Sequence, residues 1–485
     1  MDAWGPAVKR SVLLAFLLSY ASFAWAHVGS KDVFQTISAG PYTLYVTVRP
    51  PNVIPGVAAV EIRSTGAHVN GIRITPLPLT GEASKHPPAA DTMKASNGDP
   101  TFFTGAVWMM ATGTWQVRVQ VEGDAGTRTA SVPVLAVPIM TLKMQKTMGF
   151  ALGGLGLVLV LSMAAIVAAS VRESRLRPGQ EPTPTMRHSG ILAMVLSLGV
   201  MLLLVILGGK WWSVEAAGYG ENVYSPAATR ASLVGNQLDL NVQTVHADSD
   251  RRARSNSDYL PDHGHLMHLY AIREPEMDAA FHLHPALVAE GDFRLKLPQM
   301  PGGRYRLYGD VVHATGFPET LVSSVEIPAD MQGTGLDAED ASATPPAILQ
   351  GELGSSYKLP DGYTMVWERP AGLTAGTAYT FRFRLLDPAG KPAAEMQPYL
   401  GMAGHAAFVK TDGSVFAHTH PEGSAAMADL MLANEGLGAP MAMPTEASPE
   451  VSFPYGFPTG GRYRIFVQMK HSGTVETGVF DAEVR

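Results

Sequence analysis

Two apolar stretches set the first constraint on this chain. Thr147 to Val171 runs for 25 residues without a charge, and Ser189 to Gly209 for 21. A helix needs about 20 such residues to cross the hydrocarbon of a bilayer, so both qualify. The loop between them, 172–188, carries Arg172, Arg175, Arg177 and Arg187 against Glu173 and Glu181. An excess of arginine in a short loop places it in the cytoplasm. Lys210, Trp211 and Trp212 follow the second stretch as an interfacial belt would. The chain is therefore predicted to enter and leave the membrane on one side. Neither span holds an ionisable residue, which points to an anchor rather than a transporter or proton relay. Gly149 and Gly153 are spaced for close helix packing.

The N-terminus is consistent with that topology. Lys9 and Arg10 are a basic leader, residues 12–23 an apolar core, and Ala24-Trp25-Ala26 a small-x-small cleavage site. Cleavage would leave 459 residues starting at His27, with a net charge of about −8 from the full chain's −7 once the leader's +1 is removed. An uncleaved anchor is the alternative, and cleavage after Ala24 also fits. Export of residues 27–146 and the arginine loop agree: both large soluble regions are expected outside the cytoplasm, in the periplasm of a bacterial inner-membrane protein.

The soluble parts alternate apolar and polar residues, the period of half-buried strands. Residues 41–48 (PYTLYVTV), 238–242 (LDLNV) and 379–385 (YTFRFRL) are examples. Each region also has a late strand opened by glycine and an aromatic: Gly113-Thr114-Trp115, Gly303-Arg304-Tyr305 and Gly461-Arg462-Tyr463. An aromatic opening a late strand suits the corner of an immunoglobulin-like sandwich. The fold expected is mostly β. It has three immunoglobulin-like β-sandwich domains, 27–140, 222–330 and 345–485, with a two-helix transmembrane hairpin (147–171 and 189–209) between the first and second. Segment 331–350, rich in Gly, Ala and Pro, reads as a linker. Outside the spans, a helical period is visible only over 425–433.

The chain has no cysteine, which excludes disulfides, thiolate zinc sites and cysteine nucleophiles. An acidic balance gives no reason to expect a nucleic-acid partner. Metal chemistry would have to rest on His, Met or carboxylates, and the histidines are patterned. Phe281-His282-Leu283-His284-Pro285 is matched by Phe416-Ala417-His418-Thr419-His420-Pro421. His268 lies 14 residues before the first pair and His405 lies 13 before the second. Gly303 and Gly461 each precede a further histidine, His313 and His471, by ten. This is a duplicated constellation. Residues i and i+2 of a strand face one side, so each His-x-His pair can aim two imidazoles at one place. His268 or His405 from a neighbouring strand, and His313 or His471 from the late strand, would complete each set. Neutral imidazoles without thiolates suit copper, zinc or nickel, with copper favoured. The alternative is that the histidines form a structural hydrogen-bond network. Asp262, Asp310 and Glu422 are carboxylates that could join a site or simply occupy turns. Met402, Met427, Met431, Met441 and Met443 read as gap-filling residues, with soft ligation of Cu(I) as the rival role. A mature N-terminal His27 could chelate Cu(II) through amine and imidazole together, as in histidine-brace proteins. Only His68 and His86 accompany it in the first domain. Trp108-Met109-Met110 reads as sandwich core.

The first domain, with His27-Val28-Gly29-Ser30, the Pro41-Tyr42-Thr43 strand and Gly113-Thr114-Trp115-Gln116-Val117, resembles the YtkA-like/FixH-like group of exported immunoglobulin-like domains. The Gly401-to-His405 and Phe416-to-Pro421 runs resemble His-rich extracytoplasmic modules of bacterial membrane proteins. The resemblance implies a sandwich fold and heavy-metal handling. It also implies the rival function, a non-enzymatic assembly protein for a membrane complex. An enzyme is not expected. A cupin would place Glu three or four residues after its His-x-His, whereas Glu422 follows His420 by two and Glu290 follows His284 by six. Walker and zincin patterns are missing too.

Overall fold

The computed structural model describes residues 31–243, 254–348, 354–435, 437 and 447–485. The leader, His27, His246, Met441 and Met443 lie outside them. The chain is mostly β, and two compact units divide it: 138–224, and the remainder.

The larger unit is built of three pairs of antiparallel sheets, each pair closing over its own core. The first pairs a five-stranded sheet (Val33–Ala39, Tyr42–Arg49, Gly56–Gly66, Lys94–Ser96, Asp99–Met109) with a four-stranded one carrying Val69–Pro78, Gly113–Gly123 and Gly126–Ala136. Alternate residues such as Leu44, Val46, Ile72, Ile74, Val117 and Val119 fill the space between. The second and third sandwiches each have an outer four-stranded sheet and a larger inner one. The inner sheet of the second holds His268–Arg273, Ala280–Leu283, Gly303–His313 and Pro318–Ile327. That of the third holds His405–Lys410, Phe416–Thr419, Gly461–His471 and Thr474–Val484.

The aromatic corners expected from sequence recur three times with one geometry. Trp115 Nε1 donates to Ala111 O at 2.9 Å, Tyr305 OH to Pro301 O at 2.9 Å and Tyr463 OH to Thr459 O at 2.8 Å. Each reaches back four residues. The preceding Gly113, Gly303 and Gly461 take φ of 139°, 136° and 131°, which disfavours any side chain there.

The inner sheets are buried on both faces, and this places the candidate site. Leu269, Ala271, Phe281, Leu283, Tyr305 and Leu307 enter the core of the second sandwich. Their alternates, Tyr270, Ile272, Ala280 and Tyr308, pack instead against Ala407, Val409, Phe416, Phe466 and Val479 of the third. Successive strand residues point to opposite faces, so one strand serves two cores. Tyr308 stacks on Phe416 with ring centres 4.3 Å apart. Arg464 is ion-paired to Asp481 at 2.8 Å and donates to Met277 O and Pro346 O of the opposite side.

Segment 331–350 is more than a linker. Ala341–Ala343 adds a strand to the inner sheet of the second sandwich, paired with Ala280, Phe281 and His282. Short side chains there let a strand lie beneath the neighbouring domain. The 425–433 period does become a helix, Met427–Asn434, and Asp262 Oδ1 accepts from Ala428 N at its start. Trp108 and Met110 are not core: they are exposed, and only Met109 between them is buried.

The smaller unit is a helical pair, Lys146–Glu173 and Pro184–Glu221. Both are long and apolar enough to cross a membrane. Thr183 caps the second, its hydroxyl accepting from Met186 N. That helix continues beyond Trp211 and Trp212 to Glu221, further than the apolar stretch alone suggested. The close contact uses Gly190, where a Cβ would meet Ala168 O at 3.0 Å. Gly149 and Gly153 are not part of it: a Cβ at Gly153 would meet nothing, and one at Gly149 only Met144 of its own segment.

Candidate metal centre

The duplicated histidines converge at one end of the interface between the second and third sandwiches. In the second, Tyr270 faces His282 across the ladder. Two residues along that register, past Leu269 and Leu283, His268 comes beside His284. In the third, Ala407 faces His418, which sets His405 beside His420. All six side chains take the parity that leaves their own core and points to the other domain. The result is one shared cluster: His268 and His418 have ring centres 5.4 Å apart, His282 and His418 5.5 Å, and His282 and His405 6.1 Å.

Two further histidines complete it. Pro261 to His265 forms a tight hairpin turn in which Asp262 and His265 exchange backbone bonds at 2.8 and 3.0 Å. His263 (φ 52°) and Gly264 (φ 91°) sit at its tip. A left-handed non-glycine costs of order 1–3 kcal/mol and collects at functional sites. Here it turns His263 inward, 5.1 Å from His405 and 4.8 Å from His420. His265 stacks on His284 at 3.9 Å and lies 2.9 Å from Glu339, partly exposed at the rim. His263 was not among the residues singled out from sequence. The signal was available in the Asp-His-Gly turn immediately before His265 and His268.

Two groups within the cluster could each hold an ion. In His268, His282 and His284, and again in His263, His405 and His420, one nitrogen per ring lies within 4.8 Å of the other two. The first trio has its outer nitrogens tied down. His268 Nε2 meets Asp262 O at 3.0 Å, His282 Nδ1 meets Gln468 Oε1 at 2.9 Å, and His284 Nδ1 meets Asp340 Oδ1 at 2.9 Å. That leaves His268 Nδ1, His282 Nε2 and His284 Nε2 facing inward, the first two 3.1 Å apart. Metal-bound histidines characteristically have the second nitrogen held in this way. His418 stands between the trios, its Nδ1 3.4 Å from Asp310 Oδ2.

Burial holds these rings neutral. It pushes His268 down to about 4 and His284 to about 3, and drives His282, His405, His418 and His420 well below the usual histidine range. Burial also raises Asp310 and Asp340 to about 6. In the first trio, where each outer nitrogen faces an oxygen, the inward nitrogen therefore offers a lone pair at neutral pH. Among the described residues, His284 Nε2, His418 Nε2 and both nitrogens of His405 and His420 have no hydrogen-bond partner. Leaving a buried polar group unmade costs about 1–3 kcal/mol. A bound ion would remove that cost, so the residues present fit a metal.

His313 and His471 do not join the cluster, contrary to the expectation of four histidines per copy. His268 is paired with Asp310 and His405 with Gln468. These late-strand positions lie three residues before His313 and His471, and an odd step reverses the face. His313 binds Ser255 O at 3.0 Å and Glu319 at 3.2 Å. His471 lies beside Asp361 and Glu476. Asp310 and Gln468 have the role those histidines were expected to fill, and each acts across the interface on the other domain's histidine. Of the methionines, Met402 and Met427 are buried and Met431 is exposed. Glu422 gives its backbone carbonyl to Thr36 N.

Residues 357–485 match a family model described as a domain of unknown function, DUF8832. His405, His418 and His420 fall inside that match; the other cluster histidines do not. The match leaves the first domain untouched, so it lends nothing to a YtkA-like or FixH-like assignment. No curated protein matches. Among solved structures, an engineered protein is similar at 18% identity over 21% of this chain and 21% of its own, with a TM-score of 0.16. The chain thus spans about a fifth of it. A tetra-tandem repeat from the extending region of a large adhesion protein is 7% identical, covering 92% of this chain and 81% of that one (TM-score 0.17). A 1.5-MDa bacterial ice-binding adhesin is 8% identical, covering 92% and 99% (TM-score 0.15).

Proposed function

We propose that the chain is a membrane-anchored, extracytoplasmic metal-binding protein whose histidine cluster takes up copper, as a buffer, chaperone or resistance factor. One observation carries this reading: two duplicated histidine sets meet in a single buried place, where ring nitrogens of His284, His405, His418 and His420 have no hydrogen-bond partner among the described residues. Copper is favoured because the donor set is all imidazole, the chain has no thiolate, and copper heads the affinity order at such sites. Zinc and nickel share the donor preference. Two trios give a capacity of two ions, with the histidine count leaving His418 to join either. The two apolar helices supply the anchor, and the arginine-rich loop between them sets both soluble regions outside the cytoplasm. No catalytic step is assigned.

The test uses the full-length, tag-free protein in detergent micelles, titrated with Cu(I), Cu(II) and Zn(II). About two tight equivalents of copper are expected, with at least one lost in His418→Ala/His420→Ala. Absence of tight binding, or unchanged binding in that variant, overturns the reading.

A second reading is an assembly or interaction protein, with the histidines structural. The exposed Val57, Trp108 and Met110 on the first sandwich favour it, since Val57 and Trp108 are cross-strand neighbours. The resemblance of that domain to FixH-like domains points the same way. Recovery of one membrane partner by wild type and by the double variant alike would support it.

A further inference from the structure

We propose that Asp361, His471 and Glu476 form a separate metal site on the third sandwich, for a borderline divalent ion of the zinc class. One donor atom from each lies within 4.8 Å of the others. The site shares no residue with the histidine cluster, and its chemistry differs: one imidazole and two carboxylates rather than imidazoles alone. All three residues fall within 357–485, so nothing from the second sandwich is needed.

Local structure brings the three together. His471 ends the strand Gly461–His471 and pairs with Thr474 across a two-residue turn, Ser472-Gly473. Both turn residues have positive φ, 47° and 85°. Thr474 and Glu476 are two apart on one strand, so Glu476 shares the face of His471. Asp361 comes from another turn, where its Oδ1 accepts from Tyr363 N at 3.0 Å. This leaves Oδ2 turned toward His471 Nε2, 3.1 Å away. Tyr363 then stacks on the His471 ring at 4.2 Å, fixing its plane without using either nitrogen.

Two features ask for a cation. His471 is 4% exposed, yet neither ring nitrogen makes an aligned hydrogen bond among the described residues. Glu476 is also buried, and it brings a second carboxylate beside that of Asp361. A divalent ion would satisfy the ring nitrogen and both carboxylates at once. Imidazole with carboxylate suits zinc and its neighbours, whereas Cu(I) prefers softer donors.

The test again uses the full-length, tag-free protein in detergent. It is first saturated anaerobically with Cu(I) and then titrated with Zn(II). One Zn(II) per chain is expected. Glu476→Gln, which keeps shape and removes charge, should weaken it at least tenfold with the melting temperature of the metal-free protein unchanged. His471→Ala should abolish it, and His418→Ala/His420→Ala should retain it. If Cu(I)-loaded protein takes up no Zn(II), or Glu476→Gln binds as wild type does, the site is wrong. Should the histidine cluster take no copper, the Glu476→Gln difference still reports on this site alone.

Discussion

Gln468 decides which nitrogen of His282 carries the proton. Its Oε1 accepts from Tyr270 OH at 3.2 Å and faces His282 Nδ1 at 2.9 Å. An oxygen acceptor there makes Nδ1 the donor and leaves the Nε2 lone pair for a metal. Tyr399 OH also lies 3.2 Å from the same Nδ1, while giving its own proton to Glu339 O at 2.9 Å. Replacing Gln468 by Met keeps the volume and removes the main acceptor. Loss of such an outer partner typically costs 10–100-fold in metal affinity. The Tyr399 oxygen remains, so the expected weakening for Gln468→Met is near tenfold, read by chelator competition. Unchanged affinity would mean that the ring orientation does not depend on this bond. A second residue-scale prediction concerns Glu319, buried between Arg254 Nη1 at 2.7 Å, Ala227 N at 2.7 Å and His313. Burial alone would raise its carboxyl, but His313, Arg254 and the Ala227 amide outweigh burial and hold it below the ordinary value of 4.5. A depressed carboxyl contributes stability that is complete above the unfolded value. That contribution is lost as pH falls through the folded one. Glu319→Gln should therefore cost about 3–5 kcal/mol near pH 7, as expected when one partner of a buried ion pair is removed. The gap to wild type should close as pH falls below about 4.5. Denaturant melts at pH 7 and pH 4 would check both halves. A gap equal at the two values would exclude the carboxylate's charge as its source.

Strand parity explains both what was legible in the sequence and what was not. The His-x-His pairs were legible because an i, i+2 spacing states its own geometry. The aromatic corners were legible for a similar reason, a glycine fixing the backbone just before a ring. The late-strand histidines do not meet the His-x-His pairs because their equal distance from that glycine, ten residues in each copy, does not fix the face they take. Tyr463, Ile465, Val467 and Met469 enter the core of the third sandwich, and His471 shares their parity. Gln468 takes the opposite face and meets the second domain. The same holds for His313 against Asp310. What sequence alone could not supply is which face of an inner sheet meets a second domain. Strands such as His268–Arg273 and His405–Lys410 are buried almost throughout, so no polar stripe marks the outward side. Nor could it foresee that a Gly-, Ala- and Pro-rich segment would add a strand at Ala341–Ala343 and bring Asp340 to His284. Its small side chains look like those of a linker because a strand laid under a neighbouring domain has little room.

At the scale of the larger unit, the histidine cluster and the apolar interface are two parts of one contact. Tyr270, Tyr308, Phe416 and Phe466 join the inner sheets away from the cluster, and Arg464 bonds across the interface to Met277 O and Pro346 O. Those contacts need no ion. At the cluster end the facing groups are neutral imidazoles with unsatisfied nitrogens, so that end should be the weaker part of the interface without metal. An ion in either trio changes this differently. His268, His282 and His284 all belong to the second sandwich, whereas His263 comes from the second and His405 and His420 from the third. Only the latter trio ties the two sandwiches together through its ligands. An ion in that trio should therefore stabilise the pair as a unit and slow its separation. The linkage relation gives about 2.7 kcal/mol at a free ion concentration 100 times Kd. Hydrogen exchange on the full-length protein in detergent would check this. With copper, protection should rise in His405–Lys410, Phe416–Thr419 and the 261–265 turn. His263→Ala should remove most of that gain while leaving the second sandwich's own trio able to bind. Equal protection gains in wild type and His263→Ala would mean that the ion sits within one domain and does not join the two.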